Sequence, residues 1–71
     1  MSRWPSVKAK QVLAALFQIG WHIKRHKGSS HRVLSHPKRP DYIFAFHDSV
    51  EIGPRMLARI EKHTGLKPED F

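Results

Sequence analysis

The sequence contains no cysteine, which excludes disulfide staples and thiolate metal sites. It also lacks any long apolar run. Nothing approaches the roughly 20 residues a bilayer-spanning helix needs, and the N-terminal MSRWPSVKAK has no apolar signal-peptide core. Cytoplasmic residence without membrane contact is the expectation. Repeats and low-complexity tracts are absent. The chain has 71 residues, enough for one small domain over 1–71 and no second core. That core must come from well-packed helices and strands, with or without help from a partner.

Acidic residues are scarce. Six Asp and Glu stand against 13 Lys and Arg, for a net charge of +7. A polyanion is the implied partner, with nucleic acid the first candidate. A soluble basic surface is the bland alternative. The distribution favours the first. Lys24, Arg25, Lys27, Arg32, Lys38 and Arg39 share one segment with His22, His26, His31 and His36, and acidic residues begin only at Asp41. A concentrated block is a better phosphate-binding signal than scattered charge.

Periodicity divides the chain. Ser6 can cap a helix over about residues 6 to 19, with Ala9, Val12, Leu13, Leu16 and Phe17 as its apolar stripe and Gly20 ending it. From Trp21 the pattern alternates, so WHIKRHK reads as a strand. GSS is a turn, HRVLSH a second strand, and PKRP a break. DYIFAFH is the most apolar strand, expected to be buried on much of both faces or covered by another element. Pro54 suits the first turn of a second helix with a Met56, Leu57 and Ile60 stripe, ended by Gly65. Leu66 and Phe71 are expected to pack back. The order is α-β-β-β-α. Short connections predict an α+β fold: a three-stranded antiparallel sheet with both helices on one face and the other face more open.

Several stretches together carry a family resemblance: Gly20-Trp21 after the first helix, KRHKGSSH across the first turn, His36-Pro37 ending the second strand, and IGPRMLARIEKHTGL in the last helix. The chain resembles the HicA (YcfA-like) family over nearly its whole length. The resemblance implies a double-stranded-RNA-binding-like fold and an endoribonuclease that cleaves mRNA. It also implies a HicB-like antitoxin as partner. The family motif is Gly-Ser-His at the start of the second strand, with the histidine essential. This chain has Gly28-Ser29-Ser30-His31, one serine more. Aligned from the right, Ser30-His31 match the motif and His36-Pro37 keep their distance. A turn absorbs an extra residue, whereas a one-residue slip in a strand turns every side chain over.

The residue chemistry points the same way. Metal-independent RNA cleavage requires taking a proton from the ribose 2′-hydroxyl and giving one to the leaving oxygen. Histidine titrates near neutrality and serves either role, so His31 is the catalytic candidate. Its bland alternative is a solvated strand-end residue. Arg25, Lys27 and Arg32 are candidate phosphate contacts. Ser30 can donate a hydrogen bond, and the Gly28 amide can approach a phosphate closely. His36 is a hydrogen-bonded strand-end residue or a second acid or base. His47 is open between a structural and a functional role; His22, His26 and His63 are read as solvent-facing. Arg55 and Arg59 share a helical face, either solvated or on nucleic acid. Tyr42, Phe44 and Phe46 alternate as core residues. No ligand spacing calls for a metal, and no cofactor is implied. A ribonuclease toxin, a catalytically silent RNA-binding module of the same fold, and an interaction subunit for an acidic partner remain the competing functions. The extra serine favours the second.

Overall fold

In the computed structural model, residues 6–28 and 30–71 are described. Residues 1–5 and Ser29, which belongs to the expected turn, lie outside them. The element order is β1 (Val7–Lys8), α1 (Ala9–Gln18), β2 (His22–Lys27), β3 (His31–His36), β4 (Arg39–Ala45), β5 (Glu51–Ile52) and α2 (Pro54–Thr64), followed by a 3-10 turn at Pro68–Asp70. The antiparallel sheet runs β2-β3-β4. The α+β architecture is the one the periodicity predicts.

One core joins all of it. Val12, Leu13 and Leu16 of α1, Leu57 and Ile60 of α2, and Leu34 and Phe44 of the sheet pack together with Trp21, Ile52 and Leu66. Leu34 pairs with Tyr42 and Arg32 with Phe44. Directly opposed residues share a face, so both helices cover one face of the sheet. Trp21 pins this arrangement: its indole N–H donates to the Thr64 carbonyl at 3.1 Å, joining the entry of β2 to the end of α2.

Three local expectations fail. The first helix starts at Ala9 rather than near Ser6, and Lys8 is its N-cap. Val7 and Lys8 instead pair with Ile52 and Glu51. The first helical amides find carbonyls far along the chain, Ala9 N–H donating to Val50 at 2.8 Å and Lys10 N–H to Asp48 at 3.2 Å. A serine cap is therefore not needed there. Phe17 falls off the buried stripe and is exposed, as is Phe71, although Leu66 is fully buried. β4 begins at Arg39 and includes Pro40; it is an edge strand, where the missing N–H of proline is tolerated. For β4 the second of the two expected alternatives holds: the helices cover one face, and the other is open. Phe44 is buried while Ile43 is 59% exposed. Among the described residues no helix is long and apolar enough to cross a membrane.

Candidate active site

The sheet face away from the helices is where the candidate site lies. Its membership follows from register. Val33 pairs with Ile43 and His31 with Ala45 on one side; His31 pairs with Lys27 and Val33 with Arg25 on the other. These residues alternate with the inward Arg32 and Leu34, so they point outward. His22 and Ser35 also pair, and the hydroxyl and imidazole Nε2 lie 2.7 Å apart on the same face.

A bulge decides which basic residues join His31. Ile23 faces the core opposite Leu34, and by simple alternation Arg25 and Lys27 would follow it inward. The register instead shifts between Ile23 and Arg25, with Lys24 as the extra residue. A single inserted residue inverts the parity of everything beyond it. Arg25 and Lys27 thereby turn to the open face, and His26 turns toward the helix side. Lys24 reaches across the central strand to Asp41 at 2.8 Å.

His31 itself is exposed at the first position of β3. No described residue hydrogen-bonds its imidazole. Its directly opposed neighbour Lys27 stands about 5 Å away between Cβ atoms, and the diagonal Arg25 within about 8 Å, on ordinary sheet spacing. The three side chains share one patch of the open face. Gly28 leads into the turn with φ +74, and a Cβ there would meet nothing within 4 Å. Backbone conformation rather than crowding therefore requires glycine at this position. Ser30 is half-buried beside it.

Arg32 is not brought to this group. It faces the helix side opposite Phe44, with its side chain only 14% exposed and Nη2 donating to Asp48 Oδ1 at 3.1 Å. His36 is also separate, at the far end of β3. Its Nδ1 accepts the Lys38 N–H at 3.0 Å, and its Nε2 lies 3.1 Å from the Ile19 carbonyl. Together these require the tautomer with the proton on Nε2. The ring lies 5.1 Å from the Trp21 ring. His36 is thus the hydrogen-bonded strand-end residue. His63 stacks on Tyr42 at 5.8 Å. Burial raises the Tyr42 hydroxyl above its ordinary pKa, with the Arg59 charge opposing the shift. His47 is exposed, and its carbonyl accepts the Val50 N–H at 3.0 Å. Arg55 is exposed on α2. Among the described residues no three His, Asp or Glu converge to hold a metal ion.

Sequence reasoning missed the bulge and the Arg32–Asp48 pair. The run Lys24-Arg25-His26-Lys27 after Ile23 was the available signal for the first, since four consecutive polar residues interrupt alternation. The partner of Arg32 left no local signal.

The fold and this face define a small α+β protein that presents a histidine among cations on the sheet face its helices leave open. Residues 9–66 match the family model described as HicA toxin of bacterial toxin–antitoxin. The chain belongs to the HicA toxin family, whose members are the toxins of toxin–antitoxin pairs. No curated protein and no solved structure matches it.

Proposed function

We propose that this toxin is a metal-independent endoribonuclease that cleaves mRNA, inhibits translation and growth, and is neutralised by a HicB-like antitoxin. The observation that carries the reading is the exposed His31, directly opposite Lys27 and on one face with Arg25. Arg25 and Lys27 hold the scissile phosphate and offset its growing negative charge, while the Gly28 amide and Ser30 hydroxyl approach it from the turn. The ribose 2′-oxygen attacks phosphorus as its proton is taken, and the bond to the 5′-oxygen breaks as that oxygen gains a proton. The products are a 2′,3′-cyclic phosphate and a 5′-hydroxyl. His31 performs one of these transfers. With both ring nitrogens of His36 engaged, the other falls to water or to a group on the substrate.

The test is cleavage of one RNA by purified wild-type and His31→Ala protein with chelator present. Loss of a general acid or base predicts a fall of about 10²–10⁴-fold, with fold and antitoxin binding retained. Equal cleavage by both proteins refutes the assignment of His31. Binding without cleavage by either leaves a catalytically silent RNA-binding module.

A further inference from the structure

Arg32 is a poor choice for stability alone. Its side chain is 14% exposed beneath the sheet, opposite the fully buried Phe44. One guanidinium nitrogen, Nη1, is buried with no hydrogen-bond partner among the described residues. A buried charge with an unsatisfied donor is costly, and an apolar residue of similar size is commonly at least as stabilising. What the arginine does supply is a tie. Nη2 bonds Asp48 at 3.1 Å. The carbonyl of that aspartate accepts Lys10 N–H at 3.2 Å, and Val50 accepts Ala9 N–H at 2.8 Å. The loop after β4 is thus fastened to the first turn of α1, and Arg32 is fastened to the loop.

The place of this tie matters. His31 opens β3 after the turn, and its partner Ala45 is the last residue of β4. Ladder ends are where strands open first. Arg32 is the next residue in the strand, pointing to the other side. We infer that Arg32 is a positioning residue: through Asp48 it locks the strand end that presents His31, and it makes no contact with RNA. This rests on the ribonuclease reading above.

A displacement on the order of 1 Å at a reacting group costs about 10²-fold in rate. Arg32→Ala and Asp48→Ala should each lower kcat for RNA cleavage by about 10–100-fold, with KM within about twofold. The double variant should be no worse than the worse single one, because both break one link. Asp48→Ala removes the acceptor at an exposed side chain (59%), so it tests the tie if Arg32→Ala fails to fold. Nuclear magnetic resonance supplies a readout independent of cleavage. The His31 ring signals should shift and broaden in both variants, while those of His22, at the other end of the same face, stay. Unchanged kcat and His31 signals in a folded variant overturn the inference. A rise in KM alone also does, since it makes Arg32 a substrate contact. Absent cleavage by wild-type protein refutes the ribonuclease reading, and the resonance comparison still decides the tie.

Discussion

Gly20 and Gly28 both have positive φ, +105 and +74, yet substituting them should have different consequences. At Gly28 an added Cβ meets nothing within 4 Å, so Gly28→Ala costs only the backbone strain, about 1–2 kcal/mol. At Gly20 the Cβ would lie 2.9 Å from Nε2 of His36 and 3.2 Å from its Cδ2. That nitrogen is the one bonded to the Ile19 carbonyl, and the ring rests against Trp21. Relief requires moving a half-buried ring that is held at both nitrogens. The same backbone strain of about 1–2 kcal/mol plus one lost hydrogen bond of about 0.5–1.5 kcal/mol gives about 1.5–3.5 kcal/mol for Gly20→Ala. Urea unfolding of both variants at constant m-value measures the difference. A second comparison isolates the cause: in a His36→Ala background, Gly20→Ala should lose the steric part of its penalty and retain the strain. If Gly20→Ala is no more damaging than Gly28→Ala, His36 does not hold the strand end as described. RNA cleavage should rank the two oppositely, since Gly28 lies in the turn leading to His31.

Leu57→Ala, at a fully buried position shared by α2 and the sheet, should cost about 2–5 kcal/mol, and Leu13→Ala should fall in the same range; near-wild-type melting of both variants refutes the core described here. Arg25→Ala and Lys27→Ala should each reduce the salt slope of single-stranded RNA binding by about 0.7 per lost phosphate contact, whereas Arg32→Ala should leave it unchanged. Burial raises the Tyr42 pKa above its ordinary 10.0, so the folded state keeps a proton that the unfolded state releases. The stability from this group is full below the unfolded pKa and is lost as pH rises through the folded one. Tyr42→Phe should flatten that alkaline decline, and urea midpoints measured on both sides of pH 10 check it.

Local periodicity made the sheet and helices legible because their signals are local. Val12, Leu13 and Leu16 mark a helix by spacing, and HRVLSH marks a strand by its residues and the flanking turn. Element ends were less legible because their causes are distant. Ser6 has the chemistry of a cap, but the amides of Ala9 and Lys10 are satisfied by carbonyls of residues 50 and 48. No pattern near residue 6 encodes that. Pro40 reads as a breaker until β4 is known to be an edge strand. Apolarity in DYIFAFH likewise suggested burial on both faces or cover by another element without deciding between them; helices cover one face and leave Ile43 exposed.

The candidate site was legible by residue type and illegible by face. His31 and Arg32 are adjacent, so a regular strand must send them to opposite sides. They cannot both meet one phosphate on the open face, whatever the local charge density. Arg25 and Lys27 reach His31's side only because Lys24 is bulged, and without that extra residue both would turn under the sheet. Lys24 meanwhile bonds Asp41. The first four residues of a basic block that looks uniform in sequence are therefore divided three ways: Arg25 and Lys27 on the face with the histidine and without an ion-pair partner among the described residues, Lys24 paired with an acid across the sheet, and Arg32 on the helix side bonded to Asp48. Linear charge density counts these side chains equally. Register and the bulge determine which of them share the face of His31.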